Sequence, residues 1–144
     1  MKDIFKVDGI SYNVIVPENG IKRSFAVTDT DNAGRAVTGE MIRDIIGTYF
    51  NYSIDIKCKK GFESDYYNLY NVVASPVDSH YITVPFHNGY LAFEAYVTGG
   101  EDVLKSMANN NEWEVMTLNF IAVKPQWYHD GYLTGYDGSV TING

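Results

Sequence analysis

Tyr49-Phe-Asn-Tyr-Ser-Ile-Asp-Ile-Lys-Cys58 is the stretch whose reading decides the fold class. Along it Tyr52, Ile54, Ile56 and Cys58 alternate with Ser53, Asp55 and Lys57. Side chains of a strand point to opposite faces in turn, so this pattern specifies a strand with one buried and one wetted face. The same alternation returns in Val115-Met-Thr-Leu-Asn-Phe-Ile-Ala-Val123, where Met116, Leu118, Phe120 and Ala122 interleave with Thr117, Asn119 and Ile121. Half-buried strands of this kind suit antiparallel sheets. The reading is a mainly β domain, an antiparallel β-sandwich or small barrel, with one flanking α-helix.

Working outward, Ile4-Phe-Lys-Val7 and Ile10-Ser-Tyr-Asn-Val-Ile-Val16 flank Asp8-Gly9, a pair that tolerates positive φ and predicts a two-residue hairpin turn. Pro17-Glu-Asn-Gly20 is a second turn, and Ile21 to Val27 a further strand. Thr28 to Arg35 is small and polar; Gly39 to Gly47 is compatible with strand or helix, and we read it as extended. After Lys59-Lys-Gly61, Ser64 is placed as the cap of a helix over 64–75 with Tyr66, Leu69, Tyr70 and Val73 at helical spacing. The helix ends by Ser75-Pro76. His80 to Phe86 and Tyr90 to Val97 form a hairpin across Asn88-Gly89, with Pro85 marking a sheet edge or the end of a ladder. Lys105 to Asn111 reads as the tip of a projecting hairpin, and Trp113 as the start of the second long strand. Residues 1–125 thus form the β domain. Residues 126–144, with turns at Asp130-Gly131 and Asp137-Gly138, form a terminal arm or hairpin docking on a neighbour.

With 144 residues the chain is one domain by length, able to bury roughly two-thirds of the surface of its unfolded form. Cys58, the single cysteine, rules out an internal disulfide and reads as a small core residue. The start of the chain lacks the apolar run of a signal peptide, and no stretch approaches the roughly 20 apolar residues of a membrane span. Synthesis in a cytoplasm is the expectation. Eighteen acidic against 11 basic residues give a net charge of −7, the wrong sign for gripping phosphates. Aromatic residues make up 15% of the chain, including 12 Tyr, a surplus that suits subunit contacts or a sugar-stacking platform.

Chemical constellations are sparse. Asp29, Asp31 and Asn32, with Gly34 and Glu40 at the sixth and twelfth positions, imitate a calcium loop, but the sequence lacks its flanking helices. His80, His87 and His129 have no partners at a metal-like or triad-like spacing, and no nucleophile elbow is present. Gly99-Gly100 precedes no helix that would cradle a phosphate. The expectation is a protein with no catalytic residues, no cofactor and no bound metal, and with a small-molecule ligand disfavoured.

From Ile4 to Gln126 the chain resembles a family of short tail proteins carried by phages and prophages of Gram-positive gut bacteria. The resemblance rests on Phe5-Lys-Val-Asp-Gly-Ile10, Val16-Pro-Glu-Asn-Gly-Ile-Lys-Arg-Ser-Phe25, Gly47-Thr-Tyr-Phe-Asn-Tyr52, Ala74-Ser-Pro-Val-Asp-Ser-His80, Phe93-Glu-Ala-Tyr-Val97 and Leu118-Asn-Phe-Ile-Ala-Val-Lys-Pro125. It implies a virion structural protein of the tail-tube or distal-tail kind, located in the tail and assembling with itself and other tail proteins into rings or a tube that DNA traverses without specific binding. The alternative is a carbohydrate- or receptor-binding β module. Interface residues are expected at Asp29, Asp31, Asn32 and Arg35, at Lys105, Asn109, Asn110 and Asn111, and in the arm at Trp127, Tyr128, Tyr132 and Tyr136. Deleting 127–144 is expected to weaken assembly and leave the fold intact.

Overall fold

The computed structural model of the chain describes residues 4–31, 33–107 and 111–138. In order, its elements are β1 (Lys6–Val7), β2 (Ile10–Ser11), β3 (Ile21–Asp29), β4 (Gly34–Arg35), β5 (Met41–Ile42), β6 (Ile45–Ile56), α1 (Glu63–Ala74), β7 (His80–Phe86), β8 (Gly89–Tyr96), β9 (Leu104–Ser106), β10 (Glu112–Trp113), β11 (Met116–Ala122), β12 (Trp127–Tyr128) and β13 (Tyr136–Asp137). The fold is mainly β and antiparallel with one helix, as the alternating stretches demand.

Pairing follows the path β12-β6-β11-β8-β7-β1-β2, with β3 added to β6 and β13 to β8. The two stretches that decided the fold class lie side by side: Ile54 faces Leu118, and Tyr52 faces Phe120. Beyond β2, Ile15 and Lys57 exchange both backbone hydrogen bonds, at 2.9 and 2.7 Å. That bridge returns the path to the end of β6 and closes the sheet into a small barrel. Inside it, Val7, Ile54, Ile82, Leu91, Leu118 and Phe120 are fully buried, each on the inward face of an alternating strand. Cys58, just past β6, packs partly buried against this core, and burial pushes its thiol up.

The helix adds Tyr66, Leu69 and Val73 to the same core, while Tyr70 stays exposed. Ser64 is not its cap. Phe62 occupies that position without a side-chain bond, and the Glu63 carboxylate reaches back to accept the Gly61 N–H at 2.9 Å. Glu63 and Asp65 put negative charge at the N-terminal end of the helix, where it interacts favourably with the helix dipole. At the other end Ser75 is extended, the backbone a following proline favours.

The Asp8-Gly9 turn forms with φ of 53° and 81°, both left-handed. The second predicted turn shifts by one residue: Phe86 pairs with Gly89, so His87 and Asn88 make the bend, and His87 takes the positive φ of 53°. Gly89 is needed elsewhere, because a Cβ there would strike the Asp137 carbonyl of β13. Pro85 lies two residues beyond Thr83, the last β7 residue paired to β1, and so past the end of that ladder. Past Gly39, which closes a turn, the stretch to Gly47 holds β5 and the start of β6 and no helix, and Trp113 belongs to the short β9–β10 ribbon rather than to β11.

The terminal arm differs most from expectation. β12 pairs with Gly47 and Thr48 of β6, and β13 with Tyr90 and Leu91 of β8, so residues 126–138 dock on this chain's own sheet. Between β11 and β12, where no strand covers that edge of β6, Gln126 takes a strand's place. Its side chain accepts the Phe50 N–H at 2.8 Å and donates to the Phe50 carbonyl at 2.9 Å. Asn51 does likewise for β11, accepting the Ala122 N–H at 2.9 Å.

At the β1–β2 turn, the Asp8 carboxylate receives Nδ1–H of buried His80 at 2.7 Å and the Tyr81 N–H at 2.9 Å. Burial opposes its charge, but these two donors prevail and hold the carboxyl below the usual range. A depressed carboxyl stabilises the fold above its unfolded pKa and loses that contribution as pH falls through the folded value. Asp8→Asn should therefore be less stable than wild type at pH 5, and the gap should close on acidification to pH 3. Urea denaturation at both values checks this; a gap that widened would contradict the assignment.

Candidate functional site

β3 and the first half of β6 run out past the barrel as a ribbon. β3 has nine residues, about 30 Å at the usual rise, and pairs along its whole length with β6. Among the described residues nothing pairs with its other edge. Natural proteins usually blunt a long edge strand, because its open N–H and C=O groups are a template for another chain. Here it carries Phe25, 71% exposed, and exposed Val27. Past Asp29 the ribbon continues through β4 and β5 to a turn over Ala36–Gly39, where Gly39 has φ of 89°. Val37, Met41 and Ile42 stand exposed there.

At the root of the ribbon β6 and β8 diverge, one edge covered by β12 and the other by β13. Here β3, β6, the end of β7 and the arm enclose a groove of about 590 Å³ walled by Phe25, Val27, Phe50, Phe86, Trp127 and Leu133. Phe50 meets Phe86 edge-on at 5.2 Å, and Tyr136 supports Phe86 from β13 at 5.4 Å. Its charged lining residue is Arg23, whose guanidinium lies 5.0 Å from the Phe86 ring centre and donates to His87 Nδ1 at 3.1 Å. That nitrogen is then the acceptor, so the His87 proton sits on Nε2. Beneath them Tyr52 donates to the Pro85 carbonyl at 2.8 Å, and burial pushes its phenol up to about 12.

The expected interface residues fall into three places. Asp29 and Arg35 lie on the ribbon and Asp31 in the bend between them. Asp29 takes bonds from Arg43 Nε and Nη2 at 2.9 to 3.2 Å, which hold its carboxyl below the usual range. Arg35 donates to the Gly39 carbonyl at 3.1 Å and braces the tip. Lys105 and Asn111 belong to the separate β9–β10 ribbon, with Lys105 3.8 Å from Glu112. Asn32, Asn109 and Asn110 lie outside the described residues. In the arm, Trp127 walls the groove, Tyr136 backs it, Tyr128 is half-exposed, and Tyr132 projects into solvent.

Sequence reasoning missed Arg23, Phe25 and Val27 as a group. Their i, i+2 spacing on a predicted strand already put two apolar residues and a cation on one face. The three histidines are dispersed: His80 with Asp8, His87 at the groove, His129 near Asp130. Among the described residues no three acidic, histidine or cysteine side chains gather as a metal site, and no helix is long and apolar enough to cross a membrane. No protein-family model and no curated protein matches this chain.

Proposed function

We propose that this chain is a virion structural protein of a phage or prophage tail, acting by self-assembly into rings or a tube that conducts DNA. The observation that carries the reading is β3: a nine-residue strand with an open edge, exposed apolar side chains and an uncovered extension. An isolated two-stranded ribbon is marginal in water, so one that projects with apolar side chains bare gains most from a neighbour. The sequence resemblance to short tail proteins supplies the kind of assembly. The charge of −7 accords with a conduit to which passing phosphates do not adhere. The protein acts through interfaces with itself and with other tail proteins, in the tail, after synthesis in the bacterial host cytoplasm.

The aromatic groove favours a second reading, a carbohydrate- or receptor-binding module in which Phe25 and Trp127 stack on a sugar. Light scattering over a wide concentration range, followed by negative-stain electron microscopy, separates the two. Rings or tubes are the expected result. A monomer at every concentration, with saturable quenching of Trp fluorescence by cell-wall glycans, would transfer the assignment to the binding module.

A further inference from the structure

We propose that the tip of the ribbon, Val37 and Met41, seats in the Phe25–Phe86–Trp127 groove of a second copy of this chain, making a head-to-tail contact. The inference rests on the assembly reading above and assigns its two surfaces.

Each half of the contact is incomplete by itself. The groove is an apolar mouth of about 590 Å³, and none of its walls comes from the ribbon beyond Val27. The tip bears apolar side chains with nothing packed over them among the described residues. One chain does not satisfy both: from Val27 the ribbon leads away through the rest of β3, β4 and the turn before Val37 is reached. A patch on one surface that fits a pocket elsewhere on the same molecule gives a heterologous contact, which closes into a ring or extends as a filament.

Charge selects this pairing. Among the described residues Arg23 makes no ion pair in the groove, and its partners there are a histidine nitrogen and a phenyl face. In the outer part of the ribbon, from Asp29 to Asp44, four carboxylates (Asp29, Asp31, Glu40 and Asp44) stand against Arg35 and Arg43 and leave two net negative charges. Glu40 adjoins Met41 and makes no ion pair among the described residues, so seating the tip brings a free carboxylate to an unneutralised guanidinium.

Two variants on exposed positions test the contact: Phe25→Asp spoils the groove, and Val37→Asp with Met41→Asp spoils the tip. Sedimentation velocity should show each variant monomeric where wild type assembles, with an unchanged thermal transition. Mixed in equal amounts, they retain one good groove and one good tip, so a two-copy complex should form and nothing larger. Arg23→Glu should weaken assembly at least tenfold, and adding Glu40→Arg should restore it. If wild type assembles and both spoiled variants assemble equally well, or the mixture stays monomeric, the proposed pairing is wrong and the tail reading stands. A wild-type protein monomeric at all concentrations would overturn both.

Discussion

Gln126→Leu should destabilise the protein by about 2–6 kcal/mol, since each buried backbone group left without its partner costs about 1–3 kcal/mol. Gln126 is 2% exposed and serves both the N–H and the C=O of Phe50. Leucine has nearly the same volume and neither function, so packing is conserved while the two hydrogen bonds vanish. Gln126→Glu offers the acceptor without the donor and brings a buried charge, and should be no better. Thermal unfolding is the measurement: a loss of roughly 5–20 °C is expected for a chain of this size. A change below about 1 °C would mean that water or a shifted strand replaces the amide, and that the side chain is no substitute for a strand.

Removing residues 127–144 should have a still larger effect, and on the fold itself. β12 covers the edge of β6 at Gly47 and Thr48, and β13 covers the edge of β8 at Tyr90 and Leu91. Loss of both opens two interior edges and strips Tyr136 from Phe86 and His87. Sequence alone led to the opposite expectation, that assembly would suffer and folding would not. The expected outcome is a cooperative transition lowered by more than about 10 °C or lost. An unchanged transition accompanied by lost assembly would return the segment to the status of a detachable arm.

The long strands were legible because burial imposes a two-residue period, and Tyr52 to Ile56 and Met116 to Ala122 display it without interruption. The arm was not legible for the same reason. β12 and β13 have two residues each, too few to show a period, and what seats them is a set of absences. A Cβ at Gly47 would strike the Trp127 carbonyl, and one at Gly89 the Asp137 carbonyl. Glycines inside strands do hint at close backbone approach, but they do not say which backbone comes. The groove was half legible: Arg23, Phe25 and Val27 share a face by spacing, whereas Phe86 at the end of β7 and Trp127 in β12 join them only in the folded chain. Ser64 misled because the helix begins one residue earlier, at Glu63, which leaves Ser64 inside the first turn and Phe62 at the cap position.

The bridge between Ile15 and Lys57 has a further meaning for how the molecule breathes. Every other link around the barrel is a ladder of at least two residue pairs, and this one is a single reciprocal pair between segments 42 residues apart along the chain. Such a clasp is expected to come undone while the ladders on either side hold, opening the cylinder at a seam, and amide exchange faster at Ile15 and Lys57 than at Ile82 and Leu118 would show it.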